Sequence, residues 1–131
     1  MEKDGGAPEV RVVEAWHDAL NSGDVERLVS LSHPAIEVIG PRGRGIGEQL
    51  IRDWAGRAGI SLKPLRVFYK ADTVITEQAA EWRSAESGEV TGNQTVASVF
   101  IVRDEQVVSV ARHDELAEAL DSASLSHSDE I

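Results

Sequence analysis

The sequence predicts an α+β domain in which helices come first and an antiparallel sheet follows. Apolar residues recur at helical spacing through roughly the first 58 positions, and from Leu62 onward the period switches to two. Short polar turns at Ala71-Asp72, Glu86-Ser87-Gly88-Glu89 and Asp104-Glu105 then make the sheet a meander of hairpins.

Residues 1–7 read as a flexible lead, and Pro8 sits where a first helical turn tolerates proline. Val13, Trp16 and Leu20 stripe a first helix, and Val25, Leu28 and Val29 stripe a second. Between them, Gly23 suits a left-handed helix end, and Asp24 can accept the unpaired N–H groups of the helix that follows. Ala35 to Ile39 reads as a short strand and Gly40 to Gly47 (GPRGRGIG) as a loop. Ile46, Leu50, Ile51, Trp54 and Ala58 keep helical spacing up to Gly59. Leu65 to Lys70, Thr73 to Ser84, Gly92 to Arg103 and Gln106 to His113 alternate as four strands. Leu116 and Leu120 suggest a short closing helix. Residues 121–131, polar and rich in serine, read as a disordered tail.

Composition narrows the function classes. The chain has 131 residues, enough for one domain with a sizeable core. Its 23 acidic and 13 basic residues give a formal charge of −10, which opposes binding to nucleic acid and to anionic membrane surfaces. There is no cysteine, so thiolate nucleophiles, disulfides and thiolate metal sites are excluded. No apolar run approaches the ~20 residues that span a bilayer. The opening MEKDGGAPE lacks the basic, apolar start of a signal peptide, so a cytoplasmic location is expected.

The segment ALNSGD (Ala19 to Asp24), followed by a short helix, a strand and Gly40-Pro41, resembles the opening of the nuclear-transport-factor-2-like superfamily, especially its SnoaL-like and ketosteroid-isomerase-like branches. The resemblance implies a single SnoaL-like domain over residues 8–120. Three N-terminal helices would pack in the concave face of a strongly curved, mostly antiparallel sheet, a cystatin-like cone with a pocket inside. Laid on the isomerase pattern, the pocket tyrosine falls at Trp16, the basic aspartate at Gly40 and the hydrogen-bonding aspartate near Ser98. Proton abstraction next to a carbonyl needs a base and a donor for the enolate oxygen, and glycine supplies neither. Steroid isomerase chemistry therefore does not carry over.

Helix phase and strand parity point to a pocket lined by Trp16, Val38, Trp54, Val67, Tyr69, Trp82, Val96 and Ser98. Trp82 shares a strand face with Val74, Gln78 and Ala80, while Ile75, Glu77, Glu81 and Arg83 face the other way. Gln78, Gln94 and Ser98 have the parity to orient a ligand's oxygens. Arg112, in phase with Val108 and Val110, or His113 would form the polar end. His113 is the candidate general base, because imidazole titrates near neutrality and SnoaL-like relatives often carry an aromatic or histidine there. His17, one position past Trp16, points about 100° away from it along the helix. Glu37 alternates away from Ile36 and Val38. The histidines lack metal-ligand spacing, and Gly43-Arg44-Gly45-Ile46-Gly47 is not a phosphate-binding loop, so no metal or cofactor is expected. Arg42 and Arg44 would stand exposed at the cone mouth.

The reading that follows is a small hydrophobic molecule held in the conical pocket. Two alternatives stand beside it. One is a cyclase, isomerase or dehydratase using Arg112 or His113. The other is an interaction module acting through the outer sheet face, where Ala79, Val99 and Ile101 would also pair two copies as a homodimer.

Overall fold

The computed structural model describes residues 6–40, 43–57, 59–84 and 86–131. Most of the expected lead, and with it Arg42 and Ala58, lie outside the described residues. The elements run α1 (Pro8–Ser22), α2 (Val25–Ser30), β1 (Ser32–Gly40), β2 (Gly43–Ile46), α3 (Glu48–Arg57), β3 (Ile60–Lys70), β4 (Thr73–Arg83), β5 (Val90–Arg103), β6 (Gln106–His113) and α4 (Leu116–Ala123), then a 3-10 turn at His127–Asp129. One curved six-stranded sheet has the order β2-β1-β6-β5-β4-β3. Among the described residues the β1–β6 pair is parallel and every other strand pair is antiparallel. The α+β cone expected from the sequence is the observed fold.

The corner between α1 and α2 is built as its residues suggest. Gly23 adopts φ 74°, which a Cβ would disfavour, and closes α1 with its N–H on the Leu20 carbonyl. Asp24 Oδ1 then accepts from the Arg27 N–H, 3.1 Å away, to cap α2. Asn21 has a separate role. Its side-chain amide donates to the Leu62 carbonyl and accepts from the Leu62 N–H, both at 2.9 Å, so it pairs with β3 as a neighbouring strand would. That double bond fixes α1 against the sheet's concave face. At the far end of the same helix the Tyr69 hydroxyl donates to Glu9 at 2.8 Å.

The concave side buries Val10, Val13, Trp16, Leu28, Ile36, Ile51, Val74, Phe100 and Val107 in one core. β-Bulges reset the strand phase on which that burial depends. In β3 the register slips between Pro64 and Arg66, so Leu62 and Val67 face the same core although five residues apart, and Leu65 is left 49% exposed. A slip between β5 and β6 places Val107, Val110 and Arg112 on the concave side, in place of the expected Val108 phase. Gly59 turns the chain into β3 at φ +47°, and a Cβ there would stand 2.7 Å from the Arg83 carbonyl oxygen.

Three sequence expectations are corrected. GPRGRGIG is not all loop: Gly43 to Ile46 pairs with β1 as β2, and Ile46, expected on the helix, is its exposed last residue. The first strand is longer than Ala35–Ile39, because Ser32 already pairs with Val107. Residues 121–131 pack back against β3 and α4. Leu125 is buried with Phe68 and Leu120 on the convex side, Arg66 forms an ion pair with Glu130 at 2.7 Å, and the Ile131 N–H donates to the Val67 carbonyl at 2.9 Å. Apolar surface on β3 thus organises a segment whose own composition is polar. Leu125→Ala is expected to lower unfolding stability by about 2–3 kcal/mol in a urea titration. A disordered tail would show no change.

Of the convex residues suggested for pairing two copies, Val99 is buried beneath α4 and Ile101 packs partly against the same cluster. Ile75, Ala97 and Val99 are buried with Ala119 and Leu120 of α4.

Candidate functional site

Between α1, α3 and the concave sheet lies a cavity of about 1010 Å³. One wall is aromatic. Trp16 and Trp54 stack with ring centroids 5.9 Å apart, and Phe100 meets Trp16 edge-on at 5.2 Å. Trp16 is held from behind, because its Nε1 donates to Ser32 Oγ at 3.1 Å and that hydroxyl donates to the Leu28 carbonyl. Trp82, Ala80, Val96, Ile60 and Leu62 continue the apolar lining along the sheet, and Val38, Val110 and Ile51 close it. The rim is formed by Gly40, Gly43, Arg44, Gly45 and Leu50, where Arg44 pairs with Glu37 at 3.2 Å.

Of the residues the sequence singled out, Trp16, Val38, Trp54, Trp82, Val96, Ser98 and Arg112 line this cavity, as do Gln78 and Gln94. Val67 and Tyr69 do not. They face the concave side, but α1 covers that end of the sheet, and Tyr69 is engaged by Glu9. His113 is also outside the cavity. Side chains alternate along β6, so with Arg112 inward His113 faces α4, its Nε2 3.5 Å from Ser122 Oγ. Gly40 stands at the rim and contributes only backbone. No group of three metal-ligating side chains occurs among the described residues.

Sequence reasoning set His17 aside, yet it anchors a buried polar chain. His17 is 2% exposed. Its Nδ1 lies 2.7 Å from the Val13 carbonyl, its Nε2 lies 2.8 Å from Gln78 Nε2, and Ser98 Oγ donates to Gln78 Oε1 at 2.8 Å. A carbonyl only accepts, so Nδ1 carries the proton and Nε2 accepts from the Gln78 amide. Burial lowers the His17 pKa below its ordinary 6.5, opposed by the Val13 hydrogen bond and the Asp18 charge, which keeps the ring neutral near pH 7. The clue was available: His17 follows Val13 by four and Val10 by seven, within a stripe wider than Val13-Trp16-Leu20.

Arg112 and Asp114 form the charged end, with Arg112 Nη2 donating to Asp114 Oδ1 at 3.3 Å and Gln94 reaching the same oxygen at 3.4 Å. A helix–sheet cavity with one aromatic wall, a neutral amide–hydroxyl floor and a charged end is a ligand-site geometry.

A SnoaL-like domain model matches residues 13–110, and the chain belongs to that family. A comparison with curated protein sequences finds no match. Among solved structures, an NTF2-like protein of unknown function from Cytophaga hutchinsonii superposes with TM-score 0.70 at 11% identity, covering 86% of this chain and 93% of that one. TerC co-crystallised with polyporic acid gives 0.71 at 17% identity, covering 88% and 97%. An LEH-like epoxide hydrolase from M. tuberculosis gives 0.70 at 20% identity, covering 87% of each chain. Likeness at such identities establishes the fold.

Proposed function

We propose that this chain binds a small hydrophobic molecule in the cavity between α1, α3 and the sheet. The observation that carries the reading is the cavity itself, about 1010 Å³ and walled by three tryptophans and Phe100. Ligand cavities of roughly 300–1,000 Å³ with aromatic walls and few polar groups are the common form for molecules of drug size. The crystallisation of TerC, a protein of the same fold, with polyporic acid supports it.

Trp82 offers the cleanest test, because its ring lines the cavity and is only half-buried. Native mass spectrometry of the purified protein identifies a retained ligand. Titration of that ligand, or of an apolar fluorophore, should quench tryptophan emission. Trp82→Ala should then weaken binding more than Trp82→Phe, since phenylalanine keeps an aromatic face. Equal affinity in both variants and the parent would remove Trp82 from the site, and no binding at all would end the reading.

Arg112 favours a second reading, in which the bound molecule is also transformed. A guanidinium in the cavity wall could stabilise negative charge developing on a substrate oxygen, in a cyclase-, isomerase- or dehydratase-type step.

A further inference from the structure

The cavity floor is not uniformly apolar, and its polar groups are arranged in one line. Ser98 on β5 pairs directly with Arg112 on β6 and with Thr76 on β4, and Gln78 follows two residues along the same face of β4. A strip Gln78–Ser98–Arg112 therefore crosses three central strands beneath the tryptophans. Within it, Arg112 Nε is shut off from solvent and has no hydrogen-bond partner among the described residues. A guanidinium N–H in that state is costly unless something accepts from it. Asp114 engages Nη2 only, at 3.3 Å.

Gln78 supplies a second donor. Its Nε2 gives one hydrogen to His17 and its Oε1 is occupied by Ser98, so its other N–H is without a partner among the described residues. The orientation of this amide is not free. Neutral His17 has its proton on Nδ1, toward Val13, so only the amide nitrogen of Gln78 can face Nε2. His17 is thus a positioning residue for the floor.

We infer that the ligand is amphipathic: an apolar ring system lying against Trp16, Trp54 and Trp82, with an acceptor oxygen seated on the Arg112 guanidinium and preferred as a carboxylate or phenolate. The inference rests on the ligand-binding reading above and adds the chemistry of the buried end. Charged acceptors make the stronger bond to a guanidinium. The chain's net charge of −10 repels anions at long range, so any preference for an anion must arise from this local strip.

The test uses three probes that share one ring system: 1-pyrenecarboxylate, 1-pyrenemethanol and 1-pyrenemethylamine, titrated into the full chain at pH 7.5 and followed by pyrene fluorescence anisotropy. The carboxylate should bind about tenfold tighter than the alcohol, and the ammonium most weakly. Arg112→Met should erase the carboxylate's advantage and leave the alcohol's affinity within about twofold, because only the charged bond is removed. Arg112→Lys, which keeps the charge without Nε, should restore part of the advantage. Equal affinities for the three probes, a preference for the ammonium, or an Arg112→Met variant that still favours the carboxylate would overturn the acceptor inference while leaving the cavity as a binding site. Failure of all three probes to bind would overturn the ligand-binding reading itself.

Discussion

Trp16→Ala is expected to lower unfolding stability by about 3–5 kcal/mol, a large share of what a domain of this size possesses. The indole is 1% exposed and meets four partners at once: Trp54 stacked at 5.9 Å, Phe100 edge-on at 5.2 Å, His17 edge-on at 5.8 Å and Ser32 Oγ at 3.1 Å. Truncation removes the packing of the largest fully buried side chain and takes away the donor that Ser32 receives. α1 cannot collapse into the space, because Asn21 ties one end of the helix to Leu62 and Glu9 ties the other to Tyr69. Urea unfolding at constant m-value measures the loss. Trp82→Ala should cost much less, since that ring is only half-buried. A Trp16→Ala loss below about 1 kcal/mol would mean that the residue is a removable liner and not part of the scaffold.

The contrast between the two tryptophans shows what the sequence could convey. Helix spacing puts Trp16 and Trp54, and strand parity puts Trp82, Gln78, Val96 and Ser98, on the side where the cavity lies, because in each local period and global face agree. Gly23 and Asp24 were legible for the same reason, their roles being set within one turn of chain. Parity misled wherever a bulge or a covering element intervened. Val67 and Tyr69 have the right face but lie under α1, and Val108 lost its phase at the β5–β6 slip. Residues 121–131 look disordered by composition, and what they pack against is Phe68 and Arg66 on a strand some sixty positions away. Gly43 and Gly45 disguised β2, since glycine is depleted in strands while pairing with β1 tolerates it. Single-stripe helix phase turns His17 away from Trp16. Inside a cone, however, α1 is covered over a wide arc, and both Trp16 and His17 are buried.

That burial makes His17 the source of a pH effect with a definite sign. The folded protein holds the ring neutral, with its pKa below the ordinary 6.5, and desolvation is the leading cause. As pH falls below about 6.5 the unfolded chain takes up a proton that the folded protein refuses, so the unfolded state gains and stability drops. The decline continues until pH reaches the lowered folded-state value, with a slope of at most about 1.4 kcal/mol per pH unit from this one group. Wild type and His17→Leu, unfolded in urea at several pH values between 7.5 and 5.5, isolate the effect, because the two proteins differ at this one residue. At pH 7.5 the variant should be less stable by about 1–3 kcal/mol, since Gln78 is left with a buried amide hydrogen and no acceptor. That deficit should shrink as the pH falls, and His17→Leu combined with Gln78→Leu should recover part of it by removing both halves of the pair. A deficit that widens toward pH 5.5 would mean that the folded protein prefers the imidazolium. The amide of Gln78 would then be turned the other way, presenting its oxygen to His17 and its nitrogen to Ser98.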